Sequence, residues 1–103
     1  TLAGDAAEVK AIRAVFGGRP PRISSTKGAT GHMMGAGGIT ELIACVKAVG
    51  TGILPPTLGL LEPESDLPFV AETAQRERVC AAMSNALGFG GQNSCLIVGK
   101  YGR

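Results

Sequence analysis

Five glycines fall within the run STKGATGHMMGAGG, Ser25 to Gly38, and they restrict what this stretch can become more than any other feature of the chain. Each glycine inside a helix costs about 0.5–1 kcal/mol relative to alanine, so Gly28, Gly31, Gly35, Gly37 and Gly38 together argue against an ordinary continuous helix. Glycine suits a backbone that must pass close to a ligand or to another segment. The one histidine of the chain, His32, sits in this run five residues after Lys27. The bland reading is a loop histidine beside a solvated lysine. The glycine setting favours a chemical one, with His32 as hydrogen-bond donor or general base and Lys27 as a fixed positive charge near it.

The flanking patterns say what holds this run. Ile39, Leu42, Ile43, Val46 and Val49 recur at helical spacing, and alanines fill several positions between them, which predicts a helix over Ala36–Val49 that is buried on much of its surface. Its N-terminus would lie beside His32. The free amides there favour a neutral imidazole, able to donate a hydrogen bond to a carbonyl or a developing oxyanion. Before the run, Arg22–Ser25 is predicted as a short strand. Earlier still, Asp5-Ala6-Ala7-Glu8 resembles a capping box, and Ala7, Val9, Ile12, Val15 and Phe16 continue it as a helix that stops at Gly17-Gly18.

Four of the six prolines lie in Thr51–Pro68, which predicts an extended surface excursion with no secondary structure of its own. Phe69-Val70 is expected to make a short pairing. Arg78–Ala86 and Ser94–Lys100 alternate like strands around Leu87-Gly88-Phe89-Gly90-Gly91, so they are expected to form an antiparallel pair with a glycine-rich turn.

Composition removes several function classes. With 4% aromatic residues and a net charge of +2 spread along the chain, there is neither a stacking platform nor a basic patch for nucleic acid. Apolar runs are interrupted well before the roughly 18 residues a bilayer span needs, so no membrane association is expected, and the chain reads as intracellular. Cys45, Cys80 and Cys95 form no CxxC, which disfavours a zinc site or a disulfide framework and predicts small buried packing residues. Gly35-Ala36-Gly37-Gly38 and Gly88-Phe89-Gly90-Gly91 do not complete GxGxxG, because Thr40 and Asn93 stand at the last position. At 103 residues the chain makes one domain at most, and with Thr1 in place of a methionine it is expected to be a piece of something longer.

STKGATGHMMGAGG, LPPT, DLPFV and SNALGFGGQNSCLIV, in this order, resemble the C-terminal end of a β-ketoacyl-acyl carrier protein synthase of the fatty-acid chain-elongating type. The opening TLAGDAAE is similar to the TxxGDxxE stretch that follows a catalytic histidine in that family. The resemblance implies an α/β chain forming the C-terminal half of a thiolase-like α/β/α/β/α layered fold, with a mixed sheet, a buried helix and residues 1–103 as a single C-terminal synthase domain. The implied reaction is decarboxylative Claisen condensation of an acyl thioester with malonyl-acyl carrier protein.

By the same resemblance His32 donates to the malonyl thioester oxygen, Lys27 shapes the site electrostatically, and Phe89 is a gating residue whose backbone N–H contributes to an oxyanion hole. Glu41, with Ser84 and Asn85, is implied as the ligand set of a structural cation, and no other cofactor is implied. The implied partners are acyl carrier protein, the remainder of the synthase chain and a second copy in a homodimer; the implied compartment is the cytoplasm, a mitochondrion or a plastid. The nucleophilic cysteine and a first histidine are expected upstream of Thr1. Leu87 stands where the family usually has a second phenylalanine and Ala86 where it often has serine, which leaves acyl-chain preference open. A non-catalytic partner subunit of the chain-length-factor kind and a polyketide ketosynthase are the alternatives. A thiolase is disfavoured because its terminal cysteine motif is not found around Gly88–Cys95.

Overall fold

The computed structural model describes residues 1–102. Helix α1 (Leu2–Phe16) comes first. Its N-cap is Thr1, whose Oγ1 accepts the Gly4 N–H at 3.1 Å, and not the expected Asp5. A hydroxyl one position before the helix satisfies an orphan first-turn amide, so the helix starts a turn earlier and Asp5 becomes a first-turn acid that complements the helix dipole. Gly17, at φ 57°, ends the helix where the sequence places the stop.

Three elements carry the glycine-rich run. A single turn, α2 (Lys27–Thr30), is followed by His32 in open loop, a 3₁₀ turn at Met34–Ala36, and then helix α3 (Gly37–Thr51). Helix α3 turns Ala48 and Val49 into the core and packs against the C-terminal hairpin. Its outer stripe, Ile39, Ile43 and Val46, is more than half exposed, so this chain covers the helix on one side only. The second apolar stripe explains why the sequence predicts burial on much of the helix surface.

That hairpin is the expected antiparallel pair: β3 (Ala81–Leu87) and β4 (Asn93–Gly99) run in register from Ala81↔Gly99 to Leu87↔Asn93. Its tip is the 3₁₀ turn Phe89–Gly91, where Gly90 and Gly91 both take φ 76°. Residues before β3 remain irregular, so the strand begins three residues later than the pattern suggests.

The predicted strand at Arg22–Ser25 reduces to one parallel bridge, Ile23↔Phe69, with the Val70 N–H donating to the Ile23 carbonyl at 2.7 Å. This is the short pairing expected of Phe69-Val70. The excursion Thr51–Pro68 is where local reading fails. Helix α3 runs through Thr51, and Ile53–Leu54 (β1) pairs antiparallel with Gln75–Arg76 (β2). Leu67 is buried, as is Val70 just beyond, which at 1% exposure is the most enclosed side chain described. The prolines stiffen a segment that folds back onto the core. Cys80 and Cys95 are likewise exposed and not buried, while Cys45 on α3 is half-buried. Among the described residues no helix is long and apolar enough to cross a membrane.

Candidate active site

The site is built around two backbone turns. His32 Nδ1 accepts the Met34 N–H at 3.1 Å. A ring nitrogen that accepts a backbone amide leaves the imidazole proton on Nε2, so the outer nitrogen of an exposed ring is the donor. Met34 reaches this arrangement at φ 47°, the one non-glycine residue among those described with positive φ. Such a conformation costs a side-chain-bearing residue on the order of 1 kcal/mol. Here it turns the chain from the histidine loop into the 3₁₀ turn that leads to α3.

Lys27 Nζ does not point at His32; it donates to Glu41 Oε1 at 2.6 Å, linking α2 to the first turns of α3. With the lysine side chain 45% and the glutamate 20% exposed, the pair contributes roughly 0.5–1 kcal/mol after screening by water. Its consequence is geometric, because it ties together the two elements that flank His32. The lysine thus meets an opposite charge and is not a bare positive field.

Glu41, Ser84 and Asn85 supply oxygen donors, which suits a hard cation. The Glu41 carboxylate is already engaged by an ammonium. Ser84 and Asn85 are consecutive in β3 and so project to opposite faces of the hairpin. These three side chains alone do not converge into a cation cage; backbone carbonyls would have to complete one. Among the described residues no three His, Cys, Asp or Glu gather as a metal-binding group.

Phe89 is fully exposed at the hairpin tip. The left-handed conformation of Gly90 and Gly91 permits the reversal, and Gly88 closes it by donating to the Gln92 carbonyl at 2.7 Å. An aromatic ring flanked by three glycines on a two-stranded hairpin is placed to change position without disturbing the strands. A separate concavity of about 580 Å³, lined by Arg13, Arg19, Asp66 and Leu67 among others, holds none of these residues, and Arg13 pairs there with Asp66.

Cys45 lies one turn after Glu41 on α3. Burial first, and the Glu41 carboxylate second, push its thiol up from the ordinary thiol range. The folded chain therefore holds this proton more tightly than the unfolded one. The associated stability is present below the unfolded thiol's titration and is lost as pH rises through the folded one. The expected result at pH near 8 is that iodoacetamide labels exposed Cys80 and Cys95 well before Cys45, as followed by peptide mass spectrometry. Glu41→Gln should speed Cys45 only in part, because desolvation remains; equal labelling of all three thiols would contradict the assignment.

Comparison with known proteins shows the family to which the chain belongs. A family described as "Beta-ketoacyl synthase, C-terminal domain" matches residues 1–61. The 3-oxoacyl-[acyl-carrier-protein] synthase I, chloroplastic, of Hordeum vulgare is 41% identical over 98% of this chain and 22% of its own length. The 3-oxoacyl-[acyl-carrier-protein] synthase 2 of Coxiella burnetii is 39% identical over 97% of this chain and 25% of its own. The synthase 1 of Escherichia coli K12 is 41% identical over the same shares, 97% and 25%. The chain thus spans about a quarter of the length of the curated relatives it matches. With the family match covering more than half of its residues, the chain belongs to the β-ketoacyl synthase C-terminal domain family, whose fold is thiolase-like.

Proposed function

We propose that residues 1–103 are the C-terminal domain of a 3-oxoacyl-acyl carrier protein synthase and supply the decarboxylating half of its active site. The observation that carries this reading is the Met34 N–H to His32 Nδ1 contact, which leaves Nε2–H free as a donor. When the bond from the malonyl α-carbon to its carboxylate breaks, the electron pair passes into the thioester, CO₂ leaves, and negative charge develops on the thioester oxygen. A preorganised donor at that oxygen lowers the barrier because it is already oriented when the charge appears. The enolate carbon then attacks an acyl thioester carbonyl, a carbon–carbon bond forms, and the thiolate departs.

Lys27, held by Glu41, keeps the His32 loop in place between α2 and α3. Phe89 gates the acyl side from the hairpin tip. The thiol that carries the acyl group comes from residues outside this chain: burial pushes the Cys45 thiol up, away from a reactive thiolate, and Cys80 and Cys95 lie on or beside hairpin strands, with no histidine near them in sequence. Acyl carrier protein is the expected carrier of both substrates, and a homodimer the expected assembly. A bacterial cytoplasm or a plastid is the expected compartment.

The test is CO₂ release from malonyl-acyl carrier protein by the complete synthase that contains these residues. Release that depends on His32 supports the reading. A chain with no release in the presence of a competent acyl donor would instead belong with the non-catalytic partner subunits.

A further inference from the structure

Resting on that reading, we propose that Thr57, in the proline-rich segment between β1 and the core, is a positioning residue for the catalytic turn. Thr57 Oγ1 accepts the Ser25 N–H at 3.1 Å, and Ser25 Oγ in turn lies 3.4 Å from the Lys27 amide that donates to it. Lys27 then reaches Glu41 on α3. A continuous set of contacts therefore runs from Thr57 through Ser25 and Lys27 to the helix that follows His32.

Thr57 is itself fixed. Its N–H is shared between the carbonyls of Val70, 2.9 Å, and Ala71, 3.0 Å. Val70 is the most enclosed residue described, and its own N–H holds Ile23. Two residues on, the Gly59 N–H donates to Glu72 Oε1 at 2.7 Å, so the turn that starts at Thr57 is anchored at both ends. A second contact is independent of the hydroxyl: the Leu58 carbonyl lies so close under Gly28 that a Cβ there has no room. The Thr57–Leu58 turn thus grips the catalytic run at Ser25 and at Gly28, on both sides of Lys27. The hydroxyl is the one side-chain atom in this grip, which makes Thr57 the residue to change.

A neutral hydrogen bond of this kind contributes little to overall stability. Its effect on catalysis is larger in proportion, because displacing a reacting group by about 1 Å can cost on the order of 10²-fold in rate. Two readouts in the full-length synthase separate the proposal from a general loss of folding. Thr57→Val, which keeps shape and removes the acceptor, should lower kcat for malonyl decarboxylation by roughly 10-fold or more at nearly unchanged KM. It should also speed hydrogen exchange of the Ser25 amide while leaving the Val70 amide protected. Thr57→Ser, which restores the oxygen without the methyl, should return both values to the parent's, and it remains informative if Thr57→Val does not fold.

Unchanged kcat and unchanged Ser25 exchange in Thr57→Val would overturn the proposal, and so would a rise in KM alone or a Thr57→Ser variant as impaired as Thr57→Val. His32→Ala measured in parallel distinguishes the two levels. If His32→Ala retains decarboxylation, the functional reading fails, whereas the exchange rates still decide whether Thr57 holds the turn.

Discussion

Replacing His32 with alanine in the complete synthase is expected to lower malonyl decarboxylation by roughly 10²–10³-fold, the usual cost of removing one preorganised donor at a developing oxyanion. Substrate binding should change far less, because the thioester oxygen carries little charge before the carbon–carbon bond breaks. The loss should therefore appear in kcat and in kcat/KM together. His32→Gln is an informative companion, since its amide can donate but lacks the ring whose Nδ1 is held by the Met34 N–H at 3.1 Å. It should recover only a fraction of the rate. CO₂ release by His32→Ala at the parent's rate would remove His32 from the mechanism.

Gly52→Val should damage the fold strongly, because it combines a disallowed backbone conformation with a clash. Gly52 caps α3 in the left-handed region at φ 71°, with its N–H donating to the Ala48 carbonyl at 2.8 Å. A Cβ added there would lie 2.7 Å from the Glu77 carbonyl oxygen, a backbone atom that cannot rotate away. The same strand pairing places the Glu77 N–H on the Gly52 carbonyl at 2.9 Å, so relief of one contact breaks the other. Left-handed strain for a β-branched residue costs about 1–3 kcal/mol by itself, and the clash adds to it. A drop of several degrees in the unfolding midpoint is expected. A midpoint within a degree of the parent's would mean that the β1–β2 connection is freer than its contacts indicate.

What could be seen in the sequence depended on how local its cause was. Helix α3 follows from Ile39, Leu42, Ile43, Val46 and Val49, and the hairpin from alternation around Gly88–Gly91, because both periodicities are written in neighbouring residues. The start of α1 was misplaced because Asp5–Glu8 imitates a cap more fully than Thr1, which stands at the limit of the pattern. Thr51–Pro68 departs from its local pattern for a deeper reason. Its order comes from Leu67 and from contacts with Ser25, Val70 and Glu72, none of which leaves a period in the segment itself. His32, Lys27 and Glu41 are legible as chemical types, yet their contacts are not, since the Met34 N–H to His32 Nδ1 bond and the Lys27–Glu41 pair depend on how the chain turns between α2 and α3. The exposed cysteines show the converse: strand-like neighbours suggest burial, but Cys80 precedes β3 and Cys95 lies on β4, which is exposed along most of its length.

The bond between Ser25 and Thr57 spans 32 residues. Closing a flexible loop of that length costs about 3 kcal/mol of chain entropy beyond a constant, and little is recovered until Val70 is seated as well. The turn around Lys27 is therefore expected to be assembled by distant partners, late in folding, while α3 and the hairpin at either side can form from near neighbours. In the native protein the order reverses. The segment around Lys27 is expected to be among the first to open when the structure fluctuates, which hydrogen exchange of the Ser25 and Lys27 amides against those of α3 would show.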